Sequence, residues 1–173
     1  MPDTFIKIAS VTVGSGGAST IQFSSIPSTY TDLCLKVSGR VDAAGNYQSM
    51  AMAFNAGSPA SAFSQRWING NGVSAASGSY GANTTLYPFY LPAAGATSST
   101  FGSGEIYVCN YANTSMYKAI SIDGVTETNA TDARSELDAM LWSSNNAVSS
   151  ITLYGNTNFV QYSTATLYGI KSS

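Results

Sequence analysis

The chain contains no histidine, and only 9% of its 173 residues are charged. The first absence removes the usual general base near neutral pH, the Ser-His-Asp and Cys-His nucleophile systems, and the commonest transition-metal ligand. The second leaves solubility to Ser, Thr, Asn and Gly. It also leaves little charge to repel a neighbouring copy, which suits a protein packed into an assembly. Seven Lys and Arg, spread from Lys7 to Lys171, and a net charge of −2 form no basic stripe, so no nucleic-acid partner is expected. No apolar run is long enough to span a bilayer, and Met1-Pro2-Asp3-Thr4-Phe5-Ile6-Lys7 has no charged n-region ahead of an apolar h-region. The expectation is a cytosolic product with no membrane partner. Cysteine is scarce as well: Cys34 and Cys109, far apart in apolar segments, read as buried free thiols rather than a disulfide.

What is present is a period of two. Phe5 to Val13 is apolar on both faces near its start and reads as a strand buried on both sides, and Thr20 to Phe23 alternates cleanly. The intervening Gly14-Ser15-Gly16-Gly17 predicts a turn joining these two as an antiparallel pair. Further strands are expected over 33–38, 50–55, 63–68, 84–91, 105–111, 117–125, 136–142, 150–154 and 164–170. Asn69-Gly70-Asn71-Gly72 and Ala93 to Ser99 are loops by composition. Thr131 to Leu141 is the one contender for a helix, but Leu137, Ala139 and Leu141 alternate with Glu136, Asp138 and Met140, which favours a strand. Thr152-Leu153-Tyr154-Gly155 returns as Thr166-Leu167-Tyr168-Gly169, and the pair is expected to form a terminal hairpin. About ten short strands predict an all-β fold: a single antiparallel β-sandwich domain over residues 1–173, jelly-roll-like.

Few motifs carry chemistry. Glu127, Asp132, Glu136 and Asp138 crowd one region, and glycoside hydrolysis needs only two carboxyls flanking a sugar bond. With Arg134 among them, the segment reads instead as a solvated charged turn, so no catalytic residue is assigned and the chain is not expected to be an enzyme. Asp123 and Asp132 are hard oxygen ligands without the spacing of a calcium loop, so neither metal nor cofactor is expected. A strand follows Gly14-Ser15-Gly16-Gly17, so that loop lacks the helix a phosphate site requires. Three Asn-X-Thr/Ser sequences, at Asn83, Asn113 and Asn129, read as polar loops.

The aromatics are the other candidates. Thr84 to Pro92 packs Tyr87, Phe89 and Tyr90 around Pro88 and ahead of Pro92, and proline confines a strand to an edge. Tyr87, Pro88, Phe89 and Tyr90 therefore form a candidate interface, with core-capping by Tyr87 or Phe89 as the equal alternative. Trp67 and Trp142 read as core before sugar platform.

Phe5-Ile6-Lys7-Ile8-Ala9-Ser10-Val11-Thr12-Val13-Gly14-Ser15-Gly16-Gly17, continuing through Ile21 to Leu33, resembles the opening of virion surface proteins of tailed bacteriophages, particularly phages of cyanobacteria. Ala165-Thr166-Leu167-Tyr168-Gly169-Ile170 resembles their closing strand. The resemblance covers roughly the first forty residues and the last ten. It implies a sandwich on the exterior of a particle made in the host cytoplasm. The absence of heptads and shaft repeats favours a capsid decoration (cement) protein, binding the major capsid protein and itself as a homotrimer. The alternative is the receptor-binding tip of a fibre that recognises host glycan.

Overall fold

The computed structural model describes residues 4–55, 62–83, 85–129 and 132–171. The opening Met1-Pro2-Asp3, Thr84 of one Asn-X-Thr sequence, and Ala130 and Thr131 of another lie outside these residues. The chain forms β1 (Phe5–Thr12), β2 (Ala18–Phe23), β3 (Asp32–Gly39), β4 (Tyr47–Ser49), β5 (Ala51–Phe54), β6 (Phe63–Gly70) and β7 (Ala75–Asn83). It continues with β8 (Tyr90–Pro92), β9 (Gly102–Val108), β10 (Lys118–Glu127), β11 (Ala133–Trp142), β12 (Ile151–Phe159) and β13 (Thr164–Ile170). Among the described residues there is no helix.

Two antiparallel sheets pack face to face as a sandwich. The larger has eight strands in the order β1-β13-β3-β9-β10-β11-β6-β7, the smaller three in the order β2-β12-β5, and β4 pairs with β8 as a separate ribbon. Alternation drives the packing. Along β10 every second residue from Lys118 to Thr126 is buried and every intervening one exposed, so a slip of one residue would expose the whole set. Leu33, Leu35, Ile106, Ile120, Ile122 and Leu167 meet Ile21, Phe23, Met52, Phe54, Ile151 and Leu153 in one apolar cluster. At one end Trp142 stacks on Phe63 at 6.3 Å and takes the edge of Phe54 at 5.2 Å.

Both local pairings expected from the sequence are corrected. β1 pairs with β13 and β2 with β12, so Gly14 to Gly17 carries the chain from one sheet to the other and closes no hairpin. Likewise β12 and β13 lie in different sheets. Glycine chemistry specifies that the chain turns there; only burial specifies which sheet each strand joins. Nor is β1 buried on both sides. It is the edge of the large sheet, with alternate residues exposed. Its ladder with β13 ends where the Lys171 N–H donates to the Thr4 carbonyl at 3.1 Å.

β7 has no counterpart among the expected strands. Ala75-Ala76-Ser77-Gly78-Ser79-Tyr80 offers almost no apolar alternation because β7 is the opposite edge of the large sheet. The 84–91 segment yields only β8 as a named strand, although Leu86 bridges Met52 of β5. Inward-facing positions of β6 are buried at Phe63 and Gln65 but half-exposed at Trp67 and Asn69. The inner face of the large sheet is thus covered at one end and open at the other.

Candidate functional site

β11 is built inside out over its first half. Its alternation is as expected, yet Leu137 faces solvent at 55% exposure while Glu136 is half-buried and Asp138 is 3% exposed. The acidic residues of β11 are therefore no solvated turn: Arg134, Glu136 and Asp138 line up on the inner face of a strand. Their neighbour β6 places Phe63, Gln65, Trp67 and Asn69 on that same face, with Asp138 opposite Trp67 and Met140 opposite Gln65.

Gln65 organises the floor. Its Nε2 donates to Asp138 Oδ1 and to the Tyr87 carbonyl, each at 3.0 Å. Burial pushes the Asp138 carboxyl up to about 7, helped by the nearby Glu136 charge and opposed by the Gln65 hydrogen bond. Glu136 Oε2 accepts the Tyr90 N–H at 2.8 Å. Its pKa is also raised by burial, against the pull of that N–H and of Arg134. The Arg134 guanidinium lies 4.6 Å from the ring centroid of Tyr47 and 5.3 Å from that of Tyr90, while its Nη2 donates to the Tyr47 hydroxyl at 2.5 Å. Tyr47 and Tyr90 meet edge to face at 5.0 Å.

The walls are aromatic. Trp67 lies against Gly78 of β7, and Tyr80 stacks on the indole at 6.5 Å with 29° between planes. Together Trp67, Tyr80, Tyr87, Tyr90, Arg134 and Glu136 enclose most of a cleft of about 440 Å³, within the range of small-molecule sites. Trp67 Nε1 and Arg134 Nε are buried without a hydrogen-bond partner, so two donors on cleft residues are unused by the fold.

The four-residue candidate interface divides in two. Pro88 and Phe89 are buried, and the Phe89 side chain fills the space over Gly104 and Gly124, where any Cβ would come within 2.4 Å of it. Phe89 still borders the cleft from its buried side. Tyr87, 40% exposed, and Tyr90, half-buried, line the cleft. The tryptophans divide likewise: Trp142 is core and Trp67 is cleft wall.

The remaining candidates lie elsewhere. Glu127 accepts the Asn129 N–H, Asp132 accepts from Asn46 Nδ2 at 2.5 Å, and Asp123 is exposed on the outer face of β10. Among the described residues no three His, Cys, Asp or Glu side chains converge on a metal position. Cys34 is buried and Cys109 half-buried, both as free thiols. Burial raises the pKa of each, to about 11 for Cys34, where Glu105 adds to the effect. Residue-by-residue reading missed Gln65, took Arg134 only as part of a charged turn and ranked Trp67 as core before sugar platform; the signal was the aromatic-amide alternation Phe63, Gln65, Trp67, Asn69. Compared with known proteins, the chain has no significant match to any family model, curated protein or solved structure.

Proposed function

We propose that this protein is a non-catalytic glycan-binding module displayed on a virion surface, the receptor-binding alternative raised by its sequence. The observation that carries this reading is the cleft, where Trp67, Tyr80, Tyr87 and Tyr90 surround Glu136. A pyranose has an apolar C–H face and a rim of hydroxyls. Aromatic rings take the first, and a carboxylate accepts from the second. Hydrolysis would require two carboxyls flanking the scissile bond. Glu136 lines the cleft, but Asp138 is sealed beneath it and bonded to Gln65, which supports binding over cleavage. The test is a glycan array probed with the wild type and with Trp67→Ala and Glu136→Gln. Retention of at least one saccharide, lost in both variants and without release of cleaved product, is the expected result. No retention, or cleavage abolished by Glu136→Gln, overturns the reading.

The cement reading has its own supporting observation on the opposite face. Leu137 and Ile68 are cross-strand partners there, each 55% exposed, with Val125 close by on β10. Such a face suits burial against the major capsid protein or in a homotrimer. A protein bound only to the assembled shell raises that shell's stability by mass action. Particles lacking the protein, heated beside complete ones, decide it: equal heat resistance, with a monomer in light scattering, rejects this reading.

A further inference from the structure

The cleft does not end at Tyr87. We infer that it is one half of a continuous groove, and that its second half, on the outer face of the small sheet, holds further units of a neutral oligosaccharide. This rests on the glycan-binding reading and extends it to the length and charge of the ligand.

A second cavity of about 550 Å³ lies against β2, β5 and β12. Tyr87 lines both it and the first cleft, so one exposed ring forms the ridge between them. The position of that ridge is fixed from both sides. Gln65 holds the Tyr87 carbonyl from below, and the Leu86–Met52 pair ties the preceding residue to β5 through two backbone hydrogen bonds of 2.8 and 3.0 Å. Ser49 lines the first cleft, and its carbonyl accepts Asn156 Nδ2 at 2.7 Å. Asn156 lines the second cavity and sits at φ 59°, a left-handed conformation asparagine tolerates better than most residues. One hydrogen bond therefore joins the walls of the two cavities.

The chemistry of the second half is that of a sugar subsite. The register of the small sheet sets Tyr154 between Thr20 on one side and Ala51 on the other. The ring is flanked by a hydroxyl and a methyl, with Thr157 and Asn158 beyond it. Among the described residues, no side chain lining this cavity is charged. An anionic polysaccharide would find no cation there, and in the first cleft the Arg134 guanidinium is offset by Glu136 and held against the Tyr47 and Tyr90 rings, so the groove selects neutral units.

The experiment is calorimetric titration of the protein with paired neutral probes of two and six units: maltose and maltohexaose, cellobiose and cellohexaose, mannobiose and mannohexaose. The expected result is one series that binds, with the six-unit probe at least about tenfold tighter than the two-unit probe. Tyr154→Ala and the exposed-site variant Thr20→Lys should each erase that gain while leaving two-unit affinity unchanged. Equal affinity for both lengths, or a gain that survives both variants, overturns the extended groove and leaves the glycan reading standing. Failure of every probe in the wild type, with no glycan retained on the array, overturns both.

Discussion

Trp67 and Gly78 are cross-strand partners in the β6–β7 ladder, and the indole lies so close to the glycine that a Cβ there would fall 2.5 Å from the ring. A cross-strand pair usually shares the space between two side chains. Here one partner gives up its side chain entirely, and the other spreads over the strand to become a wall of the cleft. Gly78 is therefore a cleft residue without lining the cleft.

Gly78→Val tests that dependence. Valine suits a strand by propensity, so the change should cost little folding stability, on the order of 1 kcal/mol. It should nevertheless lift Trp67 and weaken saccharide binding about tenfold or more. In a Trp142→Phe background the emission of Trp67 reports its environment alone. Unchanged emission together with unchanged binding would show that the glycine is incidental.

Asp138 gives the fold a pH dependence of definite sign. Its folded pKa, about 7, lies above the usual 3.8, so the folded state holds a proton that the unfolded state has released across that window. Stability attributable to this group is greatest at acid pH, falls as pH rises from about 4 to about 7, and is level above. Asp138→Asn keeps an acceptor for Gln65 and removes the titration. Thermal melts should show the variant matching wild type near pH 4 and exceeding it at pH 8 by at least about 1 kcal/mol, roughly 2–4 °C for a chain of this size. A variant less stable at pH 8 would contradict the assignment.

Phe89 and Tyr87 should respond in opposite ways although they are two residues apart. Phe89→Ala empties the space over Gly104 and Gly124 and is expected to cost about 3–5 kcal/mol. Tyr87→Ala should alter the melting temperature little and weaken binding in both halves of the groove. Urea unfolding and titration on the same two proteins separate the effects; equal loss of stability would return Tyr87 to the core.

Lys118 is wholly buried, and its Nζ donates to the carbonyls of Asn113, Met116 and Ser144 at 2.5, 2.8 and 3.4 Å, within 5.8 Å of the Trp142 ring centroid. Burial lowers its pKa. Lys118→Met keeps the length of the side chain and leaves those carbonyls without their donor, at an expected cost of about 2–4 kcal/mol. Denaturant midpoints check this, and a midpoint equal to wild type would mean the carbonyls find water.

How far the sequence could be read depended on what each residue had to satisfy. β10 was legible because alternation and burial agree at every position from Lys118 to Glu127. β11 was legible as a strand, but the faces of Leu137 and Glu136 were not. Hydrophobicity assigns leucine to the interior, and only the open end of the inner face, with Arg134 and Tyr90 nearby, allows a carboxylate to take that place. β7 was invisible because an edge strand of Ala, Gly and Ser is held by its ladder to β6 rather than by side chains. The sheet crossings after β1 and β12 depend on contacts between residues more than a hundred positions apart, such as Phe5 with Ile170, which no local turn signal encodes.

The hydrogen bond from Lys171 to Thr4 places the first and last described strands side by side at one border of the large sheet. β6, which carries Trp67, stands five strands from β13 in that sheet, about 24 Å away at the usual spacing. A tether at either extremity therefore holds the molecule by its heel, with the Trp67 cleft at the toe. Fluorophores, surface anchors or fused domains joined there would leave the approach to that cleft clear, and several copies mounted on one support would present their clefts outward together.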